Sequence, residues 1–141
     1  MLKGIPLILS PELLKVLAEM GHGDTITIGD AYFAAASMAK ENILVRCDGV
    51  STPELADAIL TLMPLDTWAD SCVTVMGAEG KPLGVCNEIL EVVERHCPEA
   101  AASREIVDRF AFYDRAKRSY AVVAAGQQEK FGCVIFQKGV L

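Results

Sequence analysis

The chain has 141 residues and a formal net charge of −6, a length that suits one domain with one core. The acidic balance and scattered basic residues argue against nucleic acid and anionic membrane surfaces, because both need clustered Lys and Arg; the densest basic run, Arg115-Ala-Lys117-Arg118, reads as a solvated helix face. No apolar run approaches the roughly 18 residues needed to span a bilayer.

Ser10-Pro11-Glu12-Leu13 starts a helix, with Ser10 as N-cap and Pro11 pre-set for the first turn. Leu13, Leu14, Leu17 and Ala18 share one face, and Gly21 is expected to end the helix in a left-handed cap. Thr25–Ile28 alternates and is β-branched, as a strand is. A second short strand is expected at Ile43–Arg46, followed by a turn at Cys47-Asp48-Gly49. Ser51-Thr52-Pro53-Glu54 repeats the helix-start chemistry, with a capping box from Ser51 to Glu54, and Pro64 stops that helix. Cys72–Met76 reads as a strand, Gly77–Pro82 as a loop, and Val85, Ile89, Val92 and Val93 as the stripe of a third helix ending near Cys97-Pro98. Arg109–Phe112 alternates like a strand, and Tyr113–Ser119 supplies one or two helical turns. Tyr120–Ala124 and Cys133–Gln137 are two further apolar strands. Strands and helices alternate, so the expected class is α/β, with a mostly parallel sheet covered on both faces.

The N-terminal stretch has no signal-peptide pattern. The five cysteines are odd in number and form no Cys-x-x-Cys pair, so they are expected to be core residues in a reducing, cytoplasmic setting rather than disulfides or zinc ligands. The apolar content is high for a soluble monomer of this size, so part of that surface is expected to be buried in a homo-oligomer.

Three places could carry chemistry. His22 lies between two glycines in Gly21-His22-Gly23-Asp24, where it can act as a general acid or base, or stabilise the negative end of the preceding helix. Asp30 follows a strand at its carboxyl end, where open α/β sheets place ligands. It can accept hydrogen bonds from sugar hydroxyls or simply cap the next segment. Arg109 lies among Phe110, Phe112, Tyr113 and Arg115, a set suited to a polyol or to a half-buried strand with a surface ion pair. His22, Asp24 and Asp30 form no standard metal-ligand spacing, and no metal is expected. Phosphate loops and nucleophile elbows are absent, which disfavours a nucleotide-binding domain.

Taken in order, several motifs resemble the L-fucose mutarotase / D-ribose pyranase family. They are Leu2-Lys3-Gly4, Leu9-Ser10-Pro11-Glu12-Leu13-Leu14, Met20-Gly21-His22-Gly23-Asp24, Gly29-Asp30-Ala31, Arg46-Cys47-Asp48-Gly49, Leu62-Met63-Pro64-Leu65-Asp66-Thr67, Arg109-Phe110-Ala111-Phe112-Tyr113-Asp114-Arg115-Ala116-Lys117 and Lys138-Gly139-Val140. The resemblance spans residues 1–141 and is weakest over about 77–105. It implies one domain with the three-layer α/β/α ribose-pyranase-like fold, no cofactor, and ring-shaped decamers with sugar sites near subunit contacts. It implies an isomerase that interconverts the anomers of a free monosaccharide, most closely L-fucose. The catalytic His of the family falls on His22, and its sugar-binding Asp and Arg fall on Asp30 and Arg109. Where the family carries Tyr-Gly-Asn or Tyr-Ala-Asn against the sugar, this chain has Phe131-Gly132-Cys133, which lacks the phenol and the amide. Tyr32 could supply a replacement hydroxyl, and Tyr120 is a second candidate. The same departure leaves a non-catalytic sugar-binding relative as the alternative reading.

Overall fold

Ser10 caps helix α1 (Pro11–Glu19) by accepting the Leu13 amide, as expected. Helix α3 (Thr52–Leu60) starts in the same way, with Ser51 and Glu54 closing a capping box. Ser51→Ala is expected to lower stability by about 1 kcal/mol in urea unfolding, because it removes the acceptor for an orphan amide. The end of α1 differs from expectation. Met20 leaves the helix in an extended conformation, and the Lys138 ammonium donates to the carbonyls of Leu17 and Met20 at 2.7 and 2.6 Å. A cation there satisfies free carbonyls and the helix dipole together, so no left-handed glycine is needed at position 21. Positive φ falls instead on Gly23.

The computed structural model describes residues 1–141. Its strands are β1 (Thr25–Gly29), β2 (Ile43–Cys47), β3 (Val73–Ala78), β4 (Lys81–Pro82), β5 (Arg104–Val107), β6 (Ala121–Ala125) and β7 (Val134–Gln137). They form one sheet in the order β2-β6-β1-β7-β3-β4, with β5 also paired to β3. Strands β1 and β2 run parallel to β6, and β5 runs parallel to β3. Strand β7 is antiparallel to both β1 and β3, which therefore share a direction. The sheet is thus mostly parallel, with β7 reversed near its middle and β4 reversed at the end of β3.

Two sequence expectations are corrected. Gly77–Pro82 is not a loop but the end of β3, a tight turn and β4, with Glu79 and Gly80 both at positive φ. Such turns match the twist of the strands they join. Arg109–Phe112 is not a strand but the start of helix α5 (Arg109–Ala116). Asp108 accepts the amides of Phe110 and Ala111 at 2.8 and 3.0 Å, so an N-cap overrides the short alternation of aromatic residues.

Strand side chains alternate between two cores, as a sheet covered on both faces requires. Ile26, Ile28, Val73, Val75, Val123 and Phe136 face the larger core with α1, α3 and α4 (Cys86–His96). Val122, Ala124 and Ile135 face the smaller core with Phe112 and Ala116 of α5 and with α2 (Ala35–Met38). The result is the expected three-layer α/β/α arrangement. No helix is long and apolar enough to cross a membrane.

Candidate active site

The carboxyl ends of β1, β3 and β5 and the start of β7 lie at one edge of the sheet. Ligands of open α/β sheets bind beyond such ends. Here a cleft of about 380 Å³ is lined by Asp30, Tyr32, Arg109, Phe131 and Cys133. All five were singled out in the sequence. Tyr113, part of the aromatic set read around Arg109, also lines it, and Phe33, Met76 and Lys130, which were not singled out, complete the lining.

Asp30 follows β1 directly and is buried. Its Oδ1 accepts the Tyr32 amide at 2.9 Å, the local turn that sequence alone allowed. Its Oδ2 accepts the Gly132 amide at 3.0 Å and faces the Cys133 thiol at 3.5 Å. Asp30 therefore organises two loops, and it also lines the cleft. The turn is tight because the Phe33 ring lies where a side chain at Gly29 would sit. Burial pushes the Cys133 thiol well above its usual range. It stays protonated and serves as a small packing and donor group, not a nucleophile.

Phe131 adopts positive φ, a conformation that side chains other than glycine rarely take. The loop is pinned around it: Cys86 donates to the Phe131 carbonyl at 2.8 Å, and Thr52 donates to the Gly132 carbonyl at 2.6 Å. This holds a half-exposed Phe131 ring on the cleft wall.

Arg109 opens α5 and makes no ion pair; its guanidinium carbon lies 5.5 Å from the Tyr113 ring centroid and 5.3 Å from that of Phe110. A cation at a helix N-terminus opposes the helix dipole. Helix stability therefore does not explain Arg109, whereas an open guanidinium fork beside a cleft suits recognition of hydroxyl oxygens. Arg115 differs: it is tied to Glu105 by two bonds of 2.7 and 2.8 Å.

His22 is elsewhere. It precedes β1 whereas Asp30 follows it, so the five-residue strand separates them by roughly 15 Å. At that far edge the His22 Nε2 lies 3.0 Å from Asp66 Oδ2, which also accepts from Gln137 at 3.0 Å. Asp66 Oδ1 accepts the Trp68 amide at 3.2 Å. Burial pushes the Asp66 carboxyl up, but the bonds from Gln137, His22 and the Trp68 amide outweigh it and hold the group below the usual carboxylate range. An ionised carboxylate only accepts, so Nε2 carries the proton and Nδ1 is left as the free nitrogen. The imidazole is half-exposed, and Asp66 is buried. This is the geometry of an oriented acid/base group. Sequence reading placed His22 in a loop but missed Asp66, whose pairing spans 44 positions. Tyr120 is also remote from the cleft: its hydroxyl donates to Glu19 at 3.3 Å, and its amide bonds the Thr25 carbonyl.

The model of the RbsD / FucU transport protein family matches residues 3–141. The chain is 42% identical over 145 residues to a fucose mutarotase of Mus musculus, covering 99% of this chain and 95% of the relative. A solved fucose mutarotase from Streptococcus pneumoniae, in complex with L-fucose, is 42% identical with a TM-score of 0.88, covering 99% of both chains. Bacillus subtilis RbsD, solved with D-ribose, shares the fold at a TM-score of 0.76 and 21% identity, covering 100% of this chain and 99% of that one.

Proposed function

The chain belongs to the RbsD / FucU transport protein family, and from that premise we propose that it is a sugar mutarotase that interconverts the α and β anomers of L-fucose. The observation that carries this reading is the likeness, over nearly the whole chain, to proteins named fucose mutarotases. The site chemistry supports it.

Anomer exchange opens a cyclic hemiacetal and closes it on the other face. One group takes the proton of the anomeric hydroxyl while another protonates the ring oxygen. We assign the first role to His22, through Nδ1, with Asp66 orienting the ring and stabilising the imidazolium that forms. The carbon–ring-oxygen bond breaks as the aldehyde forms. The aldehyde turns about its bond to C2; on reclosure the imidazolium gives its proton to the carbonyl oxygen, and the second group takes its proton back from the C5 hydroxyl as that oxygen attacks C1. Tyr32 is a source of the second proton, because its phenol is exposed at the cleft rim. Asp30 and Arg109 hold the hydroxyls so that the open chain is recaptured. Gly132, Phe131 and Cys133 complete the sugar wall. Only proton transfers are required, so this mechanism uses no metal and no organic cofactor.

One subunit cannot bring His22 to its own cleft. The proposed site therefore joins the His22 edge of one copy to the Asp30 edge of another. Such a contact uses two different surfaces, and heterologous contacts close into rings when the rotation allows. A ring-shaped homo-oligomer, a decamer by family resemblance, satisfies this requirement. The proposed location is the cytoplasm, in keeping with five unpaired cysteines.

The reading is tested by saturation-difference NMR of anomer exchange on L-fucose and D-ribose. Accelerated exchange of L-fucose is the expected result. Sugar binding without acceleration would instead identify a non-catalytic sugar-binding protein, with Phe131 and Cys133 marking the loss.

A further inference from the structure

The only tryptophan of the chain, Trp68, is 81% exposed. An indole left this open packs little of its surface within its own subunit. It is nevertheless not loosely placed. Its amide is held by Asp66 Oδ1 at 3.2 Å, and the other oxygen of the same carboxylate holds His22 at 3.0 Å. The indole stands edge-on to the imidazole, with centroids 6.2 Å apart and planes at 82°. Asp66 thus fixes His22 and Trp68 as one unit, and Ala69 closes the turn by bonding the Asp66 carbonyl at 3.2 Å. Wherever His22 is delivered, Trp68 goes with it.

We infer that Trp68 is a specificity-determining residue that enters the neighbouring subunit's cleft beside His22 and packs on the apolar edge of the sugar ring at C5. This rests on the reading that His22 acts across the subunit contact. An imidazole within hydrogen-bond reach of the anomeric oxygen has the ring oxygen and C5 next along the sugar. An indole about 6 Å from that imidazole is placed to cover this edge. In L-fucose C5 carries a methyl group. D-arabinose has the same arrangement at C2, C3 and C4 and lacks only that methyl. Discrimination of one such group in an apolar contact reaches roughly ten-fold or more.

The test compares wild type, Trp68→Ala and Trp68→Phe on L-fucose and D-arabinose, with the assembly checked by light scattering. Trp68→Ala is expected to raise KM for L-fucose about ten-fold, leave kcat within about three-fold, and change D-arabinose little, with the assembly retained. Trp68→Phe should recover most of the loss. Tryptophan emission of the wild type should shift as L-fucose saturates the site. An unchanged ratio between the two sugars would overturn the inference. So would dissociation of Trp68→Ala into subunits, which would make the indole an interface anchor. Wild type that accelerates neither sugar would refute the mutarotase reading itself; in that case the emission titration decides separately whether Trp68 touches sugar.

Discussion

His22→Ala is expected to lower the rate of anomer exchange by about 10²–10⁴-fold, measured by NMR at saturating L-fucose, with sugar affinity changed far less. The size follows from what is removed. Cyclic sugar and open chain differ by two proton positions, and His22 is a half-exposed imidazole with one nitrogen held by a buried carboxylate and the other left free to move a proton. Without it, water must take the anomeric proton without orientation. Asp66→Asn is expected to cut the rate in the same direction, because an amide no longer stabilises the imidazolium. Folding should survive His22→Ala, since the imidazole is half-exposed. Loss of rate with intact assembly therefore reads out chemistry. Equal rates in wild type and mutant would remove His22 from the reaction.

Phe112→Ala is expected to carry the largest stability cost among single changes near the site, about 3–5 kcal/mol by urea denaturation. Phe112 is fully buried in the smaller core. Its ring meets Phe33 edge-on at 6.0 Å, and Phe33 in turn meets Tyr113 at 5.1 Å. This aromatic set ties the turn after Asp30 to the helix that begins with Arg109. Truncation leaves a cavity between the turn after Asp30 and helix α5, which line the proposed sugar cleft. Binding of L-fucose should weaken along with stability. A loss below about 1 kcal/mol would mean that the smaller core collapses around the gap, contrary to close packing on a rigid sheet.

The legible parts of this chain are those written in local chemistry. Ser10 with Pro11, and Ser51 with Glu54, announce helix starts because capping involves neighbours three residues apart. The β-branched run Thr25–Ile28 and the apolar runs around 121–125 and 134–137 announce strands. Five predicted cleft residues did converge, because Asp30, Arg109 and the Phe131–Cys133 loop all follow or precede strands at one edge. What stayed hidden depends on distant partners. The Lys138 ammonium caps α1 from the other end of the chain, so Gly21 was misread. Asp108 decides between strand and helix for Arg109–Phe112 by capping, against a pattern too short to settle it. The reversal of β7 leaves no mark on its side-chain alternation. Asp66 and Trp68 sit in a short turn with no periodic signal, and only the fold brings them to His22. The separation of His22 from Asp30 could have been read, since a strand lies between them.

That separation carries the central claim, which is that each site is built by two subunits. The most direct test mixes two inactive variants, His22→Ala and Arg109→Ala, by co-refolding. Both residues are exposed in the subunit, and Arg109 makes no ion pair, so each variant is expected to fold and assemble. In a shared site, random mixing at equal amounts rebuilds an intact pairing at about one contact in four, so about a quarter of wild-type exchange should return. Exchange that stays at the level of the separate variants would contradict the account and place the whole site within one chain.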